Sequence, residues 1–166
     1  MQKITLAKTV LAILPQIDKY CEYVAKTNHL YALQSFYLEH QDTEKYMQRI
    51  IDRSHKSQTL RNLKVRVERL LNTAVPETKK VLELSFIKGK KIALVAKGLD
   101  KSERTVFRVM EKAIEWFADG LPSIGVNSRS FQELLEDYTW IRTEFENQLR
   151  TESFPLSLCI GEHVRF

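Results

Sequence analysis

The chain has 166 residues, 43% hydrophobic and 28% charged, enough for one moderate domain or two small helical lobes whose cores need no disulfide or metal staple. Five Gly and four Pro are few for this length, and the abundance of Leu, Lys, Glu, Ala and Arg favours long helices over a turn-rich β architecture, so an all-α fold is expected. The formal net charge of +5 is unevenly laid out: residues 121–166 hold seven acids against four arginines, which leaves the preceding body strongly basic and compatible with a polyanion.

Residues 3–14 and 16–27 predict two helices, or one kinked at Pro15, whose ring removes an amide donor and clashes with the preceding turn. The apolar run here is interrupted by Lys8 and ended by Pro15, Gln16 and Asp18. It is too short to cross a bilayer and shows no small-residue cleavage site, so a helical core, no membrane contact and a cytoplasmic location are expected. "HLYALQSFYLEH" (29–40) predicts a helix, and Asp42 then caps "TEKYMQRIIDRS", in which Tyr46, Ile50 and Ile51 form an apolar stripe. Residues 56–72 place Leu60, Leu63, Val67, Leu70 and Leu71 on one helical face. Arg61, Lys64, Arg66 and Arg69 project elsewhere, as a solvated face or a phosphate-contacting one. Residues 1–73 thus form an N-terminal helical region.

In "AVPETKKVLELSFIKGK", Pro76 suits the first turn of a helix and Gly89 a left-handed C-terminal cap. Ile92, Val95, Ala96 and Leu99 then mark a short helix with a narrow buried stripe. After a tight turn, Ser102 can cap a second helix that buries Val106, Val109, Met110, Ala113, Ile114 and Phe117. Two short amphipathic helices with small Ala96 at their crossing outline a helix-turn-helix over residues 74–120. The outward stripe of the second helix is Glu103, Arg104, Phe107, Arg108, Glu111 and Lys112. Arg pairs with guanine O6 and N7, Glu accepts from cytosine N4, and an aromatic edge packs on a thymine methyl. Arg104 and Arg108, four apart, repel one another in an isolated helix, which an anionic partner would relieve.

"DGLPSIGVNSRS" gathers Gly, Pro, Asn and Ser into the clearest linker of the chain. Ser130 with Glu133 then makes a capping box for a last helix, about 130–150, within a C-terminal region of residues 121–166 that ends in an extended or irregular "TESFPLSLCIGEHVRF". The apolar stripe of that helix, Phe131, Leu134, Leu135, Tyr138, Ile141 and Phe145, would serve packing on the protein's own core or a homodimer. Its acidic face could instead lie over the basic recognition helix as an autoinhibitor. Cys21 and Cys159 lie far apart, and His29, His40, His55 and His163 lack ligand spacing, so reduced thiols, no metal and no cofactor are expected. No Gly-rich phosphate loop, nucleophile elbow or cluster of catalytic carboxylates points to an enzyme.

Residues 75–117, "VPETKKVLELSFIKGKKIALVAKGLDKSERTVFRVMEKAIEWF", resemble region 4 of the sigma-70 family of transcription factors and the sigma-like helix-turn-helix regulators of bacteria and their phages. The resemblance is carried without a gap by Pro76, Val81, Leu82, Leu84, Phe86, Gly89, Val95, Ala96, Leu99, Ser102, Thr105, Val106, Arg108, Ala113 and Ile114. Asp100 replaces a common Gly in the turn, Lys90 and Lys91 replace a Ser or Thr and acids, and Gly98 weakens the last turn of the first helix. The N-terminal helices show no aromatic-rich melting segment, which favours a phage-type or accessory regulator over a complete sigma factor.

The resemblance implies a sequence-specific regulator that binds double-stranded DNA, and possible action with RNA polymerase. It places Glu103, Arg104, Phe107 and Arg108 at base edges. Lys101 and Ser102 would lie near phosphates at the helix start, with Lys112 and the basic pair Lys90 and Lys91 also facing DNA. A protein-interaction module, or a site-recognition protein of DNA packaging or recombination, would use the same motif differently.

Overall fold

The computed structural model describes residues 3–35 and 43–152, which are helical almost throughout and contain no strand. Seven α-helices occur among the described residues: α1 (Lys3–Ser35), α2 (Thr43–Asn72), α3 (Pro76–Leu82), α4 (Ile92–Leu99), α5 (Glu103–Gly120), α6 (Ser128–Asp137) and α7 (Thr139–Glu152). A π-helical turn, Glu83–Ile87, extends α3, and a 3-10 turn, Leu121–Ile124, follows α5. The chain divides into two compact units, one of residues 14–68 and one of residues 1–13 with 69–166, so the division falls within α1 and within α2.

α1 runs through Pro15 as one helix, where the sequence allows two. A proline inside a helix costs about 3 kcal/mol. Ile13, Leu14 and Ile17 are all buried around it, and each such side chain returns roughly 1.5–3 kcal/mol, so burial wins and the helix continues. α2 likewise joins into one helix what reads as two segments. In its first half the inward side chains are the half-buried Tyr46, Ile50 and Arg53, while Ile51 points out at 47% exposure, against the expected stripe. Leu60, Leu63, Val67, Leu70 and Leu71 are buried as the spacing predicts. The Asp42 cap, the helical reading of 36–40 and the irregular tail from 153 lie outside the described residues.

In the 14–68 unit, the antiparallel stretches of α1 and α2 meet at Cys21, whose thiol donates to the Ser57 carbonyl at 3.7 Å, and at Asn28, whose amide donates to Ser54 Oγ at 3.1 Å. The Tyr31 and Tyr46 rings meet at a tilt of 47° with 5.7 Å between centroids, and the Arg53 guanidinium lies 4.8 Å from the Tyr31 ring. The Lys64 ammonium bonds the Asp18 carboxylate at 2.5 Å.

In the other unit, α3 begins at Pro76, whose missing amide proton is harmless at a first helical position. It packs on α5, with Val81 and Leu82 fully buried. The π-helical turn ends at Gly89, φ 57°, as a left-handed cap, and Lys90 N donates back to the Leu84 carbonyl at 2.9 Å.

The expected linker after α5 is a packed corner: Leu121 and Val126 are buried and Gly125 takes φ 75°. Asn127 rather than Ser130 caps the next helix. Its Oδ1 accepts from Ser130 N at 2.9 Å while Ser130 Oγ accepts from Asn127 N at 3.0 Å, a reciprocal box that starts the helix earlier than expected. Glu133 instead pairs with Arg129. The single last helix of the sequence reading is two, broken at Tyr138, φ −130° and ψ 99°. Tyr, Thr, Trp and Ile follow one another here, all modest helix formers, and the buried Tyr138 ring holds the break. Phe131 meets Phe145 edge to face at 5.6 Å across it. Phe131, Leu134, Tyr138 and Ile141 are buried in the chain itself, so most of the stripe that could have formed a dimer is already covered.

Two glycines make opposite predictions. A methyl group added at Gly98 meets nothing nearer than Leu84 Cδ1 at 4.0 Å, whereas at Gly120 it lies 2.8 Å from Leu70 Cδ1 and 3.1 Å from Cδ2. Gly98→Ala should stabilise the fold by roughly 0.5–1 kcal/mol through helix propensity, and Gly120→Ala should destabilise it by about 1 kcal/mol through crowding of a buried leucine. Denaturant unfolding of both variants checks the signs.

Candidate nucleic-acid interface

α4 and α5 are joined by three residues, Asp100, Lys101 and Ser102, each with a distinct task. Asp100 closes α4 in the left-handed region, φ 53° and ψ 46°, which a short polar side chain tolerates. Its amide donates to the Lys97 carbonyl at 3.4 Å and the Lys101 amide to the Ala96 carbonyl at 3.1 Å, so the last carbonyls of α4 are satisfied inside the turn. Ser102 caps α5: its Oγ accepts from Thr105 N at 3.2 Å and lies 2.8 Å from Thr105 Oγ1.

A small core beneath the turn holds the two helices together. Leu84, Ile92, Val95, Ala96 and Val106 are buried against one another, with Leu99, Phe107 and Met110 half-buried at its margin. Ala96 is 5% exposed, as expected of a small residue where the helices meet. Farther along α5, Ala113, Ile114, Phe117 and Ala118 are buried, so one side of this helix is committed to the core for its full length.

The other side carries Glu103, Arg104, Arg108, Glu111 and Lys112, all exposed. Among the described residues, neither Arg104 nor Arg108 has an ion-pair partner. Phe107 differs from its neighbours in being half-buried, its ring resting on the small core. Lys90 and Lys91 are exposed at the entry to α4. Lys101 is engaged by Glu77 of α3, and the Ser102 hydroxyl by Thr105, so both are already partnered in the free chain.

Three further residues lie beside the turn or on the outer side of α4. Glu77 of α3 reaches Lys101 of the turn across 24 residues, and Lys80 of α3 reaches the end of α4 across 18, its Nζ donating to the Gly98 carbonyl at 3.2 Å. Leu94 is 56% exposed on the outer side of α4, between exposed Lys91 and Lys97. No local pattern marks the first two, because contact between α3 and the turn follows from how α3 seats on α5. Leu94 was legible as the apolar residue off the Ile92, Val95, Ala96 and Leu99 stripe.

Among the described residues, no cluster of His, Cys, Asp and Glu could hold a metal ion, and no helix is long and apolar enough to cross a membrane. Two helices joined by a capped three-residue turn, with Arg104 and Arg108 exposed and without ion-pair partners among the described residues, make up this part of the chain. The chain belongs to the ECF sigma factor family, whose sequence profile matches residues 33–123, more than half of its length. The match runs from the end of α1 through α2 to the corner after α5, well beyond the stretch that carries the region 4 resemblance, and stops before α6. No curated protein and no solved structure matches the chain.

Removing the cap tests the turn directly. Ser102→Ala should lose about 1 kcal/mol of stability, read as a lower denaturation midpoint with an unchanged slope, since no new surface is exposed.

Proposed function

We propose that the chain is a sequence-specific DNA-binding regulator that acts with RNA polymerase, with α4 and α5 as its helix-turn-helix and α5 in the major groove. Membership of the ECF sigma factor family makes transcription regulation the class of activity. The observation that carries the finer reading is the pair Arg104 and Arg108, exposed and without ion-pair partners among the described residues, on the first turns of a helix whose opposite side is buried.

An α-helix rises 1.5 Å per residue, so Glu103, Arg104, Phe107 and Arg108 occupy about two turns, the length that a groove-bound helix offers to neighbouring base pairs. In this reading Arg104 and Arg108 donate to guanine edges and Glu103 accepts from a cytosine amine. Phe107 presents to a thymine methyl only the part of its ring that the small core leaves uncovered. Lys90, Lys91 and Lys112 meet phosphates, and the Ser102 end of α5 offers its amides to another. DNA also resolves the local charge problem: two like charges one helical turn apart are mildly unfavourable alone and favourable against a polyanion.

Selection of bound duplexes from a random pool should return a short common motif. Against that motif, Arg108→Ala should lose roughly 1–3 kcal/mol of discrimination at one position, while Lys90→Ala should weaken all sequences together and flatten the salt dependence by about one phosphate contact. A flat salt response in the unaltered chain, or no duplex retained at low salt, would sink the reading. Retention of core RNA polymerase by the full chain tests the second partner, and its absence would leave a DNA-only regulator.

A further inference from the structure

The end of α4 and the turn that follows it are tethered from outside by α3. Lys80 Nζ holds the Gly98 carbonyl on one side, and the Glu77 carboxylate accepts from Lys101 Nζ on the other. Lys101 stands one residue before the Ser102 cap, at the positive end of α5, where a phosphate is expected if the helix enters a groove. Of the four lysines that the sequence assigns to phosphates, Lys90, Lys91 and Lys112 are exposed and without a carboxylate partner among the described residues, while Lys101 has one. Its side chain and that of Glu77 are 36% and 42% exposed, so the pair is open to solvent and exchangeable rather than locked.

We propose that Glu77 is a positioning residue that occupies Lys101 as an internal counter-charge and so withholds one phosphate contact from the DNA interface. The inference rests on the DNA-binding reading of α5. Non-specific affinity and its salt dependence scale with the number of phosphates neutralised by free cations. A lysine already neutralised by a carboxylate releases no counterion when DNA arrives, and the carboxylate itself repels a phosphate that approaches the turn. Glu77 therefore limits the hold of the protein on DNA of any sequence, leaving the base contacts of Arg104 and Arg108 a larger share of the total.

The test is a set of binding titrations of the full chain on a mixed-sequence duplex, with four variants: Glu77→Gln, Glu77→Asp, Lys101→Met and the Glu77→Gln/Lys101→Met double. Glu77→Gln should steepen the slope of log K against log salt by about 0.9, a further fall of about 3.5-fold between roughly 50 and 200 mM salt. Glu77→Asp should keep the original slope. Lys101→Met should leave it unchanged, yet abolish the steepening in the double variant.

A Lys101→Met slope flattened by that same amount would overturn the proposal, because Lys101 would then be contacting phosphate with Glu77 in place. Glu77→Gln binding that weakens at constant slope, with a lower melting temperature, would overturn it in favour of a role in holding α3 alone. An unaltered chain that retains no duplex at low salt would overturn the DNA-binding reading, and this proposal with it, whereas the two preceding results leave that reading standing.

Discussion

The seating of α4 on α5 through Val95, Ala96 and Val106 is the constraint from which the outward face of α5 follows. A helix of eight residues such as α4 is not stable alone in water, since helix nucleation is unfavourable and short helices recover too few bonds. It persists because its narrow apolar stripe is buried against α5 and the end of α3, and because Asp100 and Ser102 satisfy the backbone groups that its end and the next helix leave open. Were the residue at position 96 larger, the two helices would separate and the turn would lose the bonds that define it. The outward direction of Arg104 and Arg108 is thus a consequence of inward packing several residues away.

Charge is arranged on this scaffold with the same dependence. α5 is amphipathic along its whole length: the Val106, Ala113, Ile114 and Phe117 side is apolar, and the Glu103, Arg104 and Arg108 side is exposed to solvent. Cations that could be neutralised locally often are, as Lys64 is by Asp18, Lys79 by Glu83 and Lys101 by Glu77. Arg104 and Arg108 of α5 have no such partner among the described residues, and neither have Lys90, Lys91 and Lys112. Such exposed pairs contribute little to stability, so their distribution bears on what the surface attracts more than on how firmly the chain folds. The family match reaches back through α2 to the end of α1, which ties the helices before the turn to the same regulatory class as the turn itself.

Much of this was legible in the sequence where a signal is local. The all-α class, the Pro76 start, the Gly89 cap, the Ser102 cap and the buried faces of α4, α5 and the second half of α2 depend on neighbours within one or two turns, and periodicity reports them. Errors arose where a distant contact overrode a local cue. Pro15 leaves two helices or one kinked helix open, and burial of Ile13, Leu14 and Ile17 decides for one. "DGLPSIGVNSRS" reads as a linker, but Leu121 and Val126 find a core and fold it into a corner. Ser130 reads as a cap beside Glu133, yet Asn127 is nearer the turn that Gly125 makes and takes that place. The helix through Tyr138 reads as continuous because its apolar spacing is, although burial of that ring accompanies an extended backbone.

The sequence by itself therefore determined the all-α class, the apolar sides of α4, α5 and the second half of α2, the Gly89 and Ser102 caps and which residues of α5 are left facing outward, because helix formation and amphipathicity are properties of short stretches. Tertiary structure alone decided that Phe107 leans on the core while Arg104 and Arg108 stay free, that Lys101 is occupied by Glu77, that Lys80 holds the end of α4, and that most of the C-terminal apolar stripe is covered by the chain itself. Each of these depends on which surfaces meet across many residues of chain. That is set by the packing of whole helices, and no local spacing encodes it.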